Sequence, residues 1–324
     1  MMTNMGRLLI VSPMFIALIV FASCRSEPQT PMRIGTIVWP GYEPIYLAQG
    51  LNYFDSDLIQ PVAFTSSTDV MTAFRNKTIE AGAFTLDEAL TLAQFDPDVS
   101  IVLVVDISHG ADVILGRPGI TSMKDLRGKR IGLETTAVCA YTLARALQKN
   151  GLKQNELNIV NLNINEHESA FKQRKIEAIV TFEPVRTKLL ASGARILFDS
   201  SQIPNEIVDV IAVRKDYLKK QSDVVGRFIN GWFRALVYLK EHSSGAAEMM
   251  KGRLQLNRDE VLASYNGLRL PDRNEVSRLL SGNNPQLLDT ARNIQTMMLE
   301  QRLLIKKTDV SQLLDVAALK KLYQ

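Results

Sequence analysis

Cysteine and histidine are both scarce. The 324 residues contain two cysteines, Cys24 and Cys139, and three histidines, His109, His167 and His242. With Cys24 near the start of the chain and assigned to another role below, Cys139 is the only remaining thiol. That excludes a disulfide framework and a multi-cysteine metal site, and Cys139 reads as a small buried residue on a helix. The histidines lie in separate segments, and Glu166-His167-Glu168 reads as a solvated turn. There is no glycine-rich phosphate loop, no Gly-x-Ser-x-Gly elbow and no His-Glu-x-x-His. No catalytic residue, metal or cofactor is therefore expected. An excess of one charge is also lacking: 38 Lys and Arg stand against 34 Asp and Glu, interspersed along the chain. The absence of a basic stripe argues against a nucleic-acid partner. No internal repeat is visible, and no low-complexity stretch lies outside the first 32 residues.

Long hydrophobic runs are equally rare, and the one present is informative. Arg7 precedes an apolar stretch from Leu8 to Phe21, followed by Ala22-Ser23-Cys24. A spanning helix needs about 20 apolar residues. A positive start, a short apolar middle and small residues before a cut site describe a secretory signal peptide over 1–23. Phe21-Ala22-Ser23-Cys24 resembles the bacterial lipobox, with Phe21 where leucine is usual. The resemblance implies acylation of Cys24 and attachment to a membrane surface through lipid chains. Residues 24–32 then form a polar tether.

Removal of the leader leaves about 300 residues, more than one hydrophobic core usually serves, so two lobes are expected. Strands are predicted at Arg33–Val38, Val62–Thr65, Ala81–Phe84 and Ile101–Val105, alternating with helices. This order favours a parallel sheet covered on both faces. A second α/β series comes after Pro118-Gly119, with a strand at Arg130–Leu133. Thr135 or Thr136 is expected to cap a helix that runs to Asn150, with Gly151 just past its end. Further strands are predicted at Ile159–Leu162, Ala178–Thr181, Arg195–Phe198 and Ile207–Val213. The remainder of the chain reads as almost entirely helical, with Trp232 on the apolar face of a helix from Val224 to Lys240.

Several segments resemble one bacterial family. They are Ile34-Gly35-Thr36-Ile37-Val38-Trp39-Pro40-Gly41-Tyr42-Glu43-Pro44, Tyr46-Leu47-Ala48-Gln49, Leu86-Asp87-Glu88-Ala89-Leu90, Asp125-Leu126-Arg127-Gly128-Lys129-Arg130-Ile131-Gly132 and Thr181-Phe182-Glu183-Pro184. In this order, from residue 33 to 300, they are similar to the type II periplasmic binding proteins of the nitrate, sulfonate, taurine and pyrimidine-precursor group, which serve ABC importers. The resemblance implies a two-lobed α/β fold with a hinge of two crossover strands and a helical C-terminal part. Lobe one would span 33–107, lobe two 108–206, and the return strand and C-terminal helices of lobe one 207–324. It also implies a small-molecule ligand, an ABC permease as partner, and a lipid-anchored place on the periplasmic side of a bacterial membrane. A membrane receptor or kinase reading the closed lobes would use the same pocket. The eukaryotic pyrimidine synthases related to this fold carry a cysteine-rich motif that this chain lacks, which argues against that chemistry.

Ligands of open α/β sheets sit beyond the carboxyl ends of the strands. That rule selects Trp39, Gly41 and Tyr42 after the first strand, Ser66, Ser67 and Thr68 after the second, and Thr85 and Asp87 after the third. From lobe two it selects Glu134, Thr135, Thr136, Ala137 and Glu183, and from the crossovers Ser108, His109 and Asp209. The hydroxyl residues could instead cap helices, Trp39 could fill the core, and Glu183 could pair with Arg186 or with backbone amides. Free amides at 66–68 and 135–137 suit a sulfonate, nitrate or carboxylate. Asp87, Glu134, Glu183 and Asp209 would repel one, so a ligand with an amine, amidine or aminopyrimidine group stands beside the anion. Apart from Arg186, no pocket arginine is evident.

Overall fold

The computed structural model describes residues 29–323. The leader and Cys24 lie outside the described residues. Four β-rich runs form β1 (Met32–Thr36), β2 (Ile59–Ala63), β3 (Ala81–Thr85) and β4 (Val99–Ser108), and helices Glu43–Gly50, Ser67–Arg75 and Leu86–Ala93 come after the first three. Residues 109–111 lead to a second sheet of β5 (Asp112–Gly116), β6 (Arg130–Leu133), β7 (Asn158–Asn161), β8 (Ala178–Phe182) and β9 (Arg195–Asp199). The chain then returns through β10 (Val208–Arg214), and a short β11 (Leu268–Arg269) joins the first sheet's edge.

The first sheet has the order β11-β4-β10-β3-β1-β2 and the second β7-β6-β8-β5-β9. Neither is purely parallel, contrary to the expectation from the β-α-β order. β10 is inserted antiparallel between β3 and β4, and β5 lies antiparallel between β8 and β9. Each is a strand that crosses between lobes and enters the new sheet in the opposite direction. Every position of β4 and β10 is buried, which is why both read as continuous apolar runs rather than alternating ones.

Three local expectations are corrected. β2 begins earlier than its predicted Val62 and includes Pro61; it is an edge strand, where a missing amide proton is tolerated. His167 is not in a solvated turn: it opens the helix His167–Lys172, is fully buried, and its Nδ1 lies 3.1 Å from the Thr181 hydroxyl. Burial lowers its pKa to about 4. The helix after β6 starts at Val138 with Ala137 as N-cap, and neither Thr135 nor Thr136 caps it. Gly151 does end it, in the left-handed conformation (φ 63°) that glycine adopts without strain.

The helical tail covers the first sheet. Helix Ser222–Glu241 packs against helix Glu43–Gly50, with Phe228 and Trp232 fully buried. Burial of a side chain the size of Phe228 stabilises by about 1.5–3 kcal/mol. Among the described residues no helix is long and apolar enough to cross a membrane.

Candidate ligand-binding cleft

The topology gathers acidic residues at the seam between the lobes. Because β10 runs between β3 and β4, Asp209 lies opposite Thr85 on one side and Asp106 on the other. The turn after β1 reaches over them. The Trp39 indole donates to Asp106 Oδ2 at 3.0 Å, and the Tyr42 hydroxyl donates to Asp209. Gly41 permits this approach, since a Cβ there would lie 1.8 Å from Asp106 Oδ2 and 2.4 Å from Trp39 Nε1. Asp87 and Glu88 occupy the first turn of the helix after β3, where the Thr85 amide donates to Glu88 at 3.0 Å. Lobe two adds Asp112 at the start of β5 and Glu134 after β6.

All six carboxyls of Asp87, Glu88, Asp106, Asp112, Glu134 and Asp209 are buried. Removal from water disfavours their charged forms. Burial pushes Asp87 up to about 6, Asp106 and Asp112 to about 7, and Glu88 to about 8. Burial raises Glu134 as well, and burial together with the neighbouring Asp106 charge holds Asp209 well above the usual carboxylate range. Asp106 and Asp209 share a hydrogen bond that favours the charged form of Asp106 and the protonated form of Asp209. Among the described residues none of the six pairs with a lysine, arginine or histidine. Asp106 Oδ1, Asp112 Oδ2 and Glu134 Oε2 are buried with no hydrogen-bond partner among the described residues. No group of three or more His, Cys, Asp or Glu among the described residues is placed to hold a metal ion.

Contacts across the seam are reciprocal. Glu134 of lobe two accepts from the Thr68 amide at 2.9 Å and from the Thr68 hydroxyl, at the N-terminus of a lobe-one helix. Glu88 of lobe one accepts from the Val138 amide at 3.4 Å, at the N-terminus of a lobe-two helix. The Thr136 and Thr68 hydroxyls meet at 2.5 Å. Trp39 meets Phe182 of lobe two edge to face, with ring centroids 5.5 Å apart. Both helix termini that suit an anion therefore hold one of the protein's own carboxylates.

Other candidates take local roles. Ser66 caps its helix by accepting from the Asp69 amide at 3.1 Å, and the buried Ser67 hydrogen-bonds Glu88. The Thr135 hydroxyl and amide donate to Asn161 at 2.9 and 3.1 Å. Glu183 faces its own helix, accepting from Arg186 at 2.9 Å, the Thr187 amide at 3.1 Å and the Thr187 hydroxyl at 3.0 Å. Ser108 bonds Ser200 at 2.8 Å in the hinge, and His109 is exposed with its amide on the Gly267 carbonyl. Ser108 also touches the seam, accepting from the Asp112 amide at 3.4 Å and hydrogen-bonding the Asp112 carboxyl.

Beside the seam opens a cleft of about 330 Å³. Ile37, Val38, Phe64 and Thr65 line it from the strand ends of lobe one, and Ile164, Asn165, Phe182 and Val185 from lobe two. Sequence reasoning missed two basic residues here, Lys188 and Arg253. Arg253 ends helix Ser243–Leu254, whose opening Ser-Ser-Gly-Ala-Ala gives almost no apolar periodicity to detect. Its guanidinium donates to Glu43 at 3.0 Å and stacks 3.4 Å from the centre of the Tyr46 ring. Lys188 lies 3.5 Å from Glu168. A larger groove of about 780 Å³ runs among the tail helices beside Phe233, Leu262 and Leu270. It takes no residue from lobe two, so lobe closure does not shape it.

Comparison with known proteins narrows the reading. A family model described as the NMT1-like family matches residues 25–252. The taurine-binding periplasmic protein of Escherichia coli (strain K12) is 26% identical over 192 residues, 57% of this chain and 60% of that protein. A putative aliphatic sulfonates-binding protein of Bacillus subtilis (strain 168) is 24% identical over 144 residues, 44% of this chain and 43% of that protein. The matches thus span at most about 60% of these curated relatives' length. The alkanesulfonate-binding protein SsuA from Xanthomonas axonopodis pv. citri, solved bound to MOPS, superposes with a TM-score of 0.75 at 18% identity, covering 88% of this chain and 97% of that one. The desulfurization enzyme DszB has a TM-score of 0.64 at 14% identity, covering 90% of this chain and 98% of that one. These likenesses show the fold, that of periplasmic binding proteins, and this fold also carries an enzyme.

Proposed function

Because this chain belongs to the NMT1-like family, and its sequence relatives are named as a taurine-binding periplasmic protein and a putative aliphatic sulfonates-binding protein, we propose that it captures a small polar solute between its lobes and delivers it to an ABC importer. The observation that carries this reading is the interlobe space itself. Residues at the carboxyl ends of strands from both sheets line one cleft, and the seam beside it is bridged by Thr68, Glu134, Glu88, Val138, Trp39 and Phe182. A cleft built from two lobes forms fully only when they close, which suits capture and release rather than a rigid active site.

Catalysis finds little support. Cys139 is buried, and burial holds its thiol well above the ordinary range, so it is a poor nucleophile. Lipid attachment at Cys24 is part of the same proposal. Cys24→Ser should abolish labelling by a fatty acid, and labelling that persists would remove the anchor. The solute-binding reading is tested by native mass spectrometry of the full chain, followed by calorimetry with any solute it retains. A one-to-one complex whose formation shrinks the radius of gyration is expected. Turnover of the bound molecule, or absence of any solute that closes the lobes, would overturn it.

A further inference from the structure

The charge arrangement at the seam identifies the class of solute, an inference that rests on the solute-binding reading. Six carboxyl groups converge there, Asp87, Glu88, Asp106 and Asp209 from lobe one and Asp112 and Glu134 from lobe two. Two of them, Glu88 and Glu134, are consumed by helix N-termini across the seam. That occupation takes up the Thr68 and Val138 amides and places a carboxylate where an anion would have to sit. The other four have only uncharged partners and one another: Asp87 bonds Thr85 and the backbone of its own helix turn, Asp106 bonds Trp39, Asp112 bonds Ser108 and Asp209 bonds Tyr42. Asp106 Oδ1 and Asp112 Oδ2 accept no hydrogen bond from the described residues, although Asp106 is wholly buried and Asp112 is 4% exposed. Unpartnered buried carboxylate oxygens are rare because each forfeits its hydration without replacement. Bringing acidic residues from two bodies together without a cation is unfavourable unless something positive enters, or protons do.

We propose that the solute presents a protonated amine or amidine to this seam, and that Asp106, Asp112 and Asp209 are its receiving groups. The three lie on β4, β5 and β10, the strands next to or forming the passages between lobes, so neutralising them acts directly on closure. Trp39 and Tyr42 orient two of the acceptors: each donates to one aspartate oxygen, at Asp106 Oδ2 and Asp209 Oδ1. When the lobes close without solute, protons take the place of the cation. Capture of the solute then releases protons to solvent.

The experiment uses the full chain and four probes: benzamidinium, taurine, ethanesulfonate and nitrate. Thermal shift and calorimetry are run at pH 7 in two buffers of different ionisation enthalpy. Benzamidinium or taurine is expected to bind with proton release, and ethanesulfonate, which is taurine without its amine, to bind at least tenfold more weakly than taurine. Asp106→Asn keeps the shape and should weaken the amine-bearing probe about ten- to a hundredfold, the range for a charge-assisted hydrogen bond. Without any probe it should melt at the same temperature as the parent or higher, since it removes a charge from a crowded seam. Equal affinity for taurine and ethanesulfonate, binding of nitrate in preference to the amines, or a retained solute that is purely anionic would overturn the cationic assignment while leaving solute binding intact. Failure of every probe in a protein that also retains no solute would overturn the solute-binding reading itself.

Discussion

The mouth of the cleft and the seam beside it differ in how their charges are matched. At the mouth, Arg253 has Glu43 and Lys188 has Glu168. In the seam, six carboxyls have no cation among the described residues. Burial still wins at Glu43, whose carboxyl is held up at about 7 despite Arg253, so a partner reduces the penalty of burial without cancelling it. What the contrast teaches is that the mouth is matched in charge as it stands, although Glu43 Oε2 and Arg253 Nη2 are buried without a hydrogen-bond partner among the described residues. The seam is complete only when loaded, with protons or with a solute.

pH breaks the comparison most strongly. The groups facing the seam are Asp87, Glu88, Asp106, Asp112, Glu134 and Asp209, with Glu183, Tyr42 and Cys139 beside them. The folded pKa values of these six carboxyls lie above those of unfolded ones, so the native state binds more protons than the unfolded state between about pH 4 and the raised values. The contribution of these six to stability is fully present at low pH and falls as pH rises through the raised values. For one carboxyl moved from 3.8 to about 7, the loss is about 4 kcal/mol, at about 1.4 kcal/mol per pKa unit. The solute-free protein should melt at a lower temperature at pH 8 than at pH 5, or open its lobes, which scattering would detect as a larger radius of gyration. His167 acts in the opposite sense. Burial lowers its pKa to about 4, so its contribution is lost only as pH falls below about 6.5 toward 4. A melting profile flat from pH 5 to 8, with no opening, would refute the unpaired seam.

Two glycines sharpen the same contrast with a smaller effect. Gly41 lies against Asp106 and Trp39, whereas Gly252, in the mouth helix Ser243–Leu254, has nothing within 4 Å of an added Cβ. Gly41→Ala should cost about 1–3 kcal/mol by overpacking and should weaken solute binding. Gly252→Ala should stabilise by up to about 1 kcal/mol, because alanine loses less freedom in a helix. Melting curves on the two variants test the pair. Equal shifts would mean that the turn over Asp106 relaxes freely.

Some of this was legible in the sequence. The strands at Arg130–Leu133 and Ala178–Thr181 and the helix end at Gly151 are set by local pattern, and the structure has them within a residue. The rule that ligands sit beyond strand ends selected Trp39, Tyr42, Asp87, Glu134 and Asp209, which the fold gathers at the seam. Asp106 and Asp112 were passed over because they stand inside apolar runs, and only the antiparallel insertion of β10 and β5 brings them to the interface. Arg253 and Lys188 were invisible for a related reason. Their helices are short or weakly periodic, and their place at the cleft comes from packing rather than from spacing.

The smallest effect concerns the latch between the lobes. Thr68 is a lobe-one residue held by two lobe-two groups, Glu134 and Thr136. Thr68→Val keeps the shape and the backbone amide, which still donates to Glu134, but removes the hydroxyl. That hydroxyl meets both Glu134 and Thr136, and each such bond contributes about 0.5–1.5 kcal/mol, so the closed state should lose at least about fivefold in population relative to the open one. Each lobe's own core is untouched, so the melting temperature should move little. Thr136→Val should have a similar or smaller effect, and the double variant should fall short of the sum of the two, because the hydroxyls bond each other. Fluorescence transfer between labels on the two lobes measures the population directly. If Thr68→Val left closure unchanged but lowered the melting temperature by several degrees, Thr68 would belong to the core of lobe one, and the reciprocal carboxylates alone would hold the seam.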